Sequence, residues 1–597
     1  MRSDGLTLSP PGSRPTETAR RRLPRFVGIG LLLALLAGVR LIWANDLPEW
    51  DIATYTLIAN ELLRGQSLYE DIWDIKPPAV FYTYALAQQW VGGPPASLVL
   101  LSILAAGGTL AALGLIASRA AESGFLARSN NGGAWKEPVV GRAVERSAGD
   151  HLACDGASGV LERPVLWSVL FFSVLCFEPL TAANLPNTEA FINLFLALSW
   201  AMWMQVGTSR RWWLLAAVAG ALAAWASMYK QVAIAPALLL AAAHVISPPT
   251  GLPRRTAGKQ AGVFLALIAL AWGLLFGWFA ITGRGELFWQ TIVVYPRYYA
   301  GGILANLLQS LQPESFRYAP IRLLAPVVPL ALIGMLVAGE RVRWMLLGMC
   351  LGVHLAVALP GQFLAHYYQL WYPPLSIAAG CGAASLVAMM QRRGRRWLGV
   401  VVVGLALVAM LAPQVPWYRL PAEHWADRRY GQLFREARSD METWFSRLGS
   451  PSPLYIWGDE PWLYLIARKP CIYPGLWKMH CVAGPLADRL TQATLDRLQE
   501  QPPGLIVVWV ELGPTDHAIA RWIGEHYQMV PGTPIYPLQF YVPRGSNPTN
   551  QLAPERSAIE PAPVRWHDRC TDQSAAGASN RPICSGDRES SVGNDPA

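Results

Sequence analysis

The chain has 597 residues, 53% of them hydrophobic and only 15% charged, with 26 tryptophans and a formal net charge of +9. A soluble protein carries about a quarter charged residues, whereas here apolar blocks of about 17–25 residues, the length a helix needs to cross a hydrocarbon core, follow one another in series. These features exclude a soluble globular protein. They also exclude a nucleic-acid footprint, because the basic residues gather at block ends (Arg20-Arg21-Arg22, Arg210-Arg211, Arg254-Arg255, Arg392-Arg393 and Arg395-Arg396), where they orient a membrane protein.

Taken in chain order, the first block (Phe26 to Trp43) lacks a small-residue cleavage site and is followed by further blocks, so it reads as a retained anchor. The predicted spans are about 26–44, 96–118, 164–182, 190–206, 212–229, 232–247, 261–281, 321–339, 343–359, 372–390 and 397–413, about eleven in all. Pro78 to Val91 is too short and too rich in Tyr and Gln to cross, and is expected to lie at the interface. With that helix not spanning, a cytoplasmic N-terminus (1–25) puts the Arg/Lys-rich segments 119–163, 207–211, 248–260, 340–343 and 391–396 on one side. Within 26–413, the polar, Gly/Ser-rich loop 122–163 is expected to have little fixed structure, like the disordered tail 546–597. Residues 414–545 then fall on the extracytoplasmic side as a small α/β domain. Its apolar runs Pro453–Trp457 and Leu505–Val510 read as strands, and Gly484–Glu500 as a helix. Cys471 and Cys481 lie in that domain, and the sequence leaves a disulfide and two unpaired thiols equally open. The fold class expected is a polytopic α-helical membrane protein of about eleven spans with a small C-terminal α/β domain.

On this orientation the unusual polar residues share the non-cytoplasmic face. The first external loop holds Asp46, Glu49, Asp51, Glu61, Glu70, Asp71, Asp74 and Lys76. Later come Asn187-Thr188-Glu189, Lys230-Gln231, the Arg297-Tyr298-Tyr299 run and His366-Tyr367-Tyr368. From Ile52 to Arg64 the apolar positions recur at helical spacing, which puts Asp51 at an N-cap, a role that would account for it without any chemistry. For Glu189 the structural alternative is likewise a cap. Lys76 beside Pro77-Pro78 has snorkelling as its alternative, Arg297 has stacking on its tyrosines, and Trp50 and Tyr55 have membership of an interfacial aromatic belt.

The order Trp50, Asp51, Tyr55, Ala59, Gly65, Tyr69, Lys76-Pro77-Pro78, then Pro186-Asn187-Thr188-Glu189, then His366-Tyr367-Tyr368 before Pro373-Pro374, resembles the GT-C superfamily of membrane glycosyltransferases. The likeness is to the bacterial branch related to protein O-mannosyltransferases and aminoarabinose transferases. It covers most of residues 26–420, with one departure, Ile52 where the family often has Glu. The resemblance implies an inverting glycosyltransferase, hexosyl or pentosyl, that takes a sugar from a polyprenyl-phosphate donor to a glycan, lipid or protein acceptor. It implies catalytic roles for Asp51, as general base, and for Glu189, as holder of the acceptor or of a cation. Donor-phosphate contacts would come from Lys76, Lys230, Arg297 and His366, and sugar or acceptor contacts from Trp50, Tyr55 and Tyr367. No metal ligand and no cofactor is expected, although Asp51 and Glu189 leave room for a shared divalent cation. A polysaccharide ligase or polymerase, or a lipid-linked glycan transporter, is the alternative. The transporter is disfavoured by the near absence of charges from mid-span and of paired broken helices.

Overall fold

The computed structural model describes residues 34–42, 50–121 and 163–546, apart from 208, 422–423, 511, 513–516 and 535. The predicted N-terminal segment 1–25, nearly all of the loop 122–163, the tail after 546, and Asp46 and Glu49 lie outside the described residues.

Helix α1 (34–42) is followed by α2 (Trp50–Leu63), α3 (Ala79–Val91), α4 (Ala96–Ala120), α5 (Pro164–Leu175), α6 (Thr188–Trp203), α7 (Trp212–Ser227), α8 (Ile234–Ile246) and α9 (Arg254–Ile281). After a run of short helical turns come α10 (Val327–Val337), α11 (Glu340–Ala358), α12 (Tyr372–Arg392) and α13 (Arg396–Leu411). Among the described residues, four helical segments are both long and apolar enough to cross a membrane: Ala96–Ala120, Arg254–Ile281, Glu340–Ala358 and Ala365–Arg392. Others coincide with predicted spans but are shorter. Helix α5 covers about 18 Å at 1.5 Å per residue, against the roughly 30 Å of a hydrocarbon core. The predicted span 164–182 is therefore helical only as far as Leu175. It stops because Pro179 disfavours helix in the residue before it, and because the buried Glu178 carboxylate instead accepts the backbone N–H and hydroxyl of Thr181. The predicted span 321–339 is likewise divided, into Ile321–Leu324 and α10, at Pro326.

The bundle is held by close approach of small residues, the means by which helices pack when water supplies no driving force. Helices α10 and α12 meet at Gly334 and Gly382. A Cβ on Gly334 would lie 1.8 Å from the Ala378 carbonyl oxygen, and one on Gly382 would lie 1.9 Å from that of Leu330. In α1 the buried Arg40 donates to Ser102 Oγ on α4 at 2.9 Å and to the carbonyl of Cys176 beyond α5, tying three helices together. Outward-facing Leu and Val side chains on α9, α10 and α13 remain exposed, as a lipid-facing surface requires.

The C-terminal segment forms a four-stranded sheet in the order β1-β2-β4-β3: β1 (Leu454–Trp457), β2 (Leu505–Trp509), β3 (Tyr527–Met529) and β4 (Leu538–Pro543). Strands β1 and β2 are parallel, with α16 (Ala487–Glu500) on the crossover between them, and β4 runs antiparallel to β2 and β3. Two further helices matter below, α14 (Gln432–Arg447) and the short α15 (Lys478–Val482). Both strands and the helix read from the sequence are present; β3 and β4 are additional. Cys471 and Cys481 are free and buried. The apolar core of this sheet is continuous with that of α2, α3 and the segment after α9, so the sheet is seated on the loops that carry the candidate chemistry.

Candidate active site

Helix α2 begins at Trp50, so Asp51 lies in its first turn and is not its N-cap. Its carboxylate is engaged by side chains: Lys76 Nζ stands 3.5 Å from Oδ1, and His366 Nε2 stands 3.8 Å from Oδ2. Tyr55, one turn further on, is fully buried, with Lys76 Nζ 5.7 Å from its ring centre. Its hydroxyl has no hydrogen-bond partner among the described residues.

The segment between α2 and α3 is built to present Lys76. Gly65 (φ 91°) adopts the left-handed conformation that ends a helix at no steric cost. Tyr69 takes φ 71°, a conformation strained for a residue with a side chain, and its buried hydroxyl donates to the Lys76 carbonyl at 2.7 Å. Asp74 closes an Asx-turn by accepting the Lys76 backbone N–H at 2.9 Å. Pro77 and Pro78 then lead into α3, where a missing N–H is harmless. Three separate constraints thus hold this lysine beside Asp51.

The second half of the cluster comes from the α6 start and the α7–α8 turn. Asn187 caps α6 through its Oδ1 on the Thr188 N–H at 2.7 Å, which leaves Glu189 free of the capping role allowed for it from sequence. Glu189 is fully buried and is met by Lys230 Nζ at 3.1 Å. The same ammonium lies 3.3 Å from the centre of the Tyr367 ring. Tyr299 also faces this cluster, where it feels Tyr367, Lys76, Lys230 and Asp51.

Electrostatics follow from this geometry. Burial pushes the Asp51 carboxyl up, but Lys76, His366 and Lys230 outweigh it, and its pKa falls below the usual aspartate value. For Lys76, burial works to lower the pKa, and Asp51, Tyr55 and Asp74 overcome it, so the ammonium is held charged. Asp74 has no such surplus of cations. Burial raises it to about 6, with Lys76 opposing and Asp51 adding to the rise.

Asp51, Lys76, Glu189, Lys230, His366, Tyr55 and Tyr367, all singled out from the sequence, therefore converge. Two others do not. Arg297 is exposed on the short helix Tyr295–Ala300 and pairs with no described carboxylate; Tyr299, two residues on, is the member of that run that reaches the cluster. Trp50 has its ring edge-on to Tyr430 at 4.4 Å, and its indole N–H is donated to Glu460, so it is committed to the C-terminal segment. Asp74 and Tyr299 escaped the sequence reading as site residues. The Trp-Asp-x-Lys spacing was visible, but which of several loop acids would be buried was not. Among the described residues, no three His, Cys, Asp or Glu side chains group as a metal site would require.

No protein-family model and no curated protein matches this sequence. Among solved structures, ArnT from Cupriavidus metallidurans bound to undecaprenyl phosphate superposes with a TM-score of 0.52 at 12% identity, over 89% of this chain and 99% of that one. The chain has the GT-C fold. That is the fold the sequence resemblance implied, and it makes the chain an integral membrane protein. The apo form of the same enzyme gives a TM-score of 0.49 at 13% identity over 90% and 100% of the two chains. The archaeal oligosaccharyltransferase AglB from Archaeoglobus fulgidus gives 0.45 at 11% over 87% and 75%. Within the GT-C fold the polar cluster is formed by the α2–α3 segment, the α6 start, the α7–α8 turn and the turn before α12.

Proposed function

We propose that this protein is an inverting glycosyltransferase that moves a sugar from a polyprenyl-phosphate donor to an acceptor on the extracytoplasmic face of a bacterial inner membrane. One observation carries the reading. Two carboxylate–lysine pairs, Asp51–Lys76 and Glu189–Lys230, come from segments far apart in sequence and meet with His366 and two tyrosines in one polar cluster. A scaffold has no use for so many charges drawn together out of water, of which Glu189 and Lys230 are buried and the others partly so, because desolvation costs several kcal/mol for a buried ion. The basic residues at the opposite helix ends support the orientation.

In this reading the acceptor oxygen or nitrogen attacks the anomeric carbon from the side opposite the phosphate. A bond to the acceptor forms as the C1–O bond to phosphate breaks, and the acceptor proton passes to the Asp51 carboxylate. Asp51 is ionised at neutral pH and so ready to accept it, although its lowered pKa makes it a weak base. The polyprenyl phosphate leaves with its charge against Lys76, Lys230 and His366, cations already oriented in a partly dry site. The acceptor and phosphate together compete for the lysines that now face Asp51 and Glu189, so substrate binding exchanges one set of ion pairs for another. Tyr367 lines the site with the Lys230 ammonium over its ring, and Tyr55, buried against Phe81 and Tyr84, backs it from behind.

Mass spectrometry of glycolipids and glycoproteins from a strain lacking this protein names the product. The wild-type gene restores the missing sugar, and Asp51→Asn, which keeps shape but cannot take the proton, lowers it about 10²–10⁴-fold. A fully active Asp51→Asn variant would remove Asp51 from the mechanism.

A further inference from the structure

The turn Gly458-Asp459-Glu460 at the end of β1 reaches out of the C-terminal sheet on two arms. On one arm, Glu460 is 5% exposed, and a single oxygen, Oε2, accepts the indole N–H groups of both Trp462 and Trp50. Trp50 is the first residue of α2 and the immediate neighbour of Asp51. Its ring begins an aromatic chain, with centroid distances of 4.4 Å to Tyr430, 5.2 Å from Tyr430 to Phe434 and 4.2 Å from Phe434 to Trp462, which closes back on Glu460. On the other arm, Asp459 Oδ1 accepts the Met479 N–H at 2.9 Å and so orients α15. The next residue, His480, is buried against Trp73 and shares a 2.6 Å hydrogen bond with the hydroxyl of Tyr295. Trp73 directly precedes Asp74, whose carboxylate holds the Lys76 backbone. Gly458 permits the turn, since a Cβ there would lie 2.5 Å from Trp509 Cβ.

We infer that Glu460 is a positioning residue of the transfer reaction: the C-terminal sheet uses it, through Trp50, to fix the first turn of α2 and hence the place of the Asp51 carboxylate. This rests on the glycosyltransferase reading above. The argument is one of leverage. Asp51 is the second residue of α2, at the start of the helix, and its own ion pairs to Lys76 and His366 are long, at 3.5 and 3.8 Å. The doubly donated contact at the adjacent residue adds a side-chain restraint on that turn from outside the helix. Catalytic geometry is sensitive to such restraints, since a displacement of about 1 Å can lower a rate 10²-fold. Burial also raises the Glu460 carboxyl to about 8, with the two indole donors opposing, so the neutral acid dominates at pH 7. Glutamine is its isostere there, and alanine removes the acceptor.

The test uses the full-length protein with Glu460→Ala, Glu460→Gln and Trp50→Phe, the last keeping the ring against Tyr430 but deleting the N–H. Four quantities are measured: hydrogen exchange in peptides covering residues 50–56, binding of undecaprenyl phosphate, the unfolding midpoint, and the level of the glycoconjugate missing from the deletion strain. Glu460→Ala and Trp50→Phe are expected to speed exchange at 50–56 and to lower product about 10- to 100-fold. Undecaprenyl phosphate affinity and the unfolding midpoint stay near wild type, and Glu460→Gln behaves as wild type throughout. A merely structural role would instead lower affinity and stability together. If Glu460→Ala fails to fold, Trp50→Phe decides. Wild-type product in a folded variant lacking the contact overturns the inference, as does product loss without faster exchange at 50–56. Should the deletion strain lack no glycoconjugate, the transferase reading fails, and the exchange measurement alone decides whether Glu460 holds the helix.

Discussion

Replacing Lys230 by methionine tests whether the Glu189–Lys230 pair is as dry as its surroundings suggest. At 3.1 Å, with an effective dielectric constant of about 20, the attraction between the two charges is about 5 kcal/mol. Desolvation of both groups offsets most of that, so the pair adds little net stability over two well-packed neutral side chains. Removing one partner is another matter. The Glu189 side chain is 0% exposed, and without Lys230 its hydrogen-bond donor among the described residues is the Thr188 hydroxyl, 2.9 Å from Oε2, with His366 and Lys76 acting from farther off. The cost expected for a buried charge stranded in this way is about 3–5 kcal/mol. Methionine fills the space of the lysine stem, so little of the loss comes from a cavity.

The assay is thermal unfolding in detergent of four proteins: wild type, Lys230→Met, Glu189→Gln and the double variant. Lys230→Met is expected to lose the most stability and the double variant to regain most of it, with a coupling energy near the top of the usual range of about 0.5–3 kcal/mol. Sugar transfer is not regained with the fold, because the double variant lacks a cation for the leaving phosphate. The reasoning is refuted if Lys230→Met unfolds at the wild-type temperature, or if the two single losses simply add.

Three further outcomes are expected. Asp74, raised to about 6 from an ordinary aspartate value, favours the folded state in its neutral form. Its contribution is full below about pH 4 and is lost as pH rises through 6. Asp74→Asn keeps an oxygen for the Lys76 N–H and should flatten both the stability profile and any inflection of activity between pH 4 and 7, and an unchanged profile would place the titration elsewhere. Gly382→Ala should break the α10–α12 contact, since even a methyl group would overlap the Leu330 carbonyl. Loss of monodisperse protein on size exclusion checks it, and an unperturbed variant would mean the helices are further apart than described. Burial raises Cys471 and Cys481 to about 12, so neither should react with a maleimide at pH 7.5 until the protein is unfolded.

Legibility in the sequence followed the physics of each feature. The helices were readable because a membrane asks one thing of its segments, continuous apolarity, and composition reports it directly. Their ends were less so. α5 stops seven residues before the predicted boundary, because Glu178 finds its partners in a turn and not in solvent, which an apolarity count cannot register. The cluster was readable because charged residues beside spans are scarce, so that few acids and cations were available to choose among. Where choice within a run mattered, the sequence could not decide: Arg297 has the chemistry, but the short helix Tyr295–Ala300 leaves it exposed and brings Tyr299 to the cluster.

Trp50 is the more instructive miss. From sequence it belongs with Asp51, as a surface for the sugar, and the two are adjacent. In the fold they serve different partners: Asp51 meets Lys76 and His366, whereas Trp50 is donated to Glu460, 410 residues away. Neighbours at the start of a helix diverge by about 100° around its axis, so one residue can face a membrane-edge cluster while the next faces a domain docked above it. That divergence is what lets the C-terminal sheet hold the neighbour of the candidate base without occupying its site. It also explains why the sheet's core is continuous with that of α2. A sheet that only tethered the chain at the membrane surface would have no need to bury a carboxyl group between two indoles.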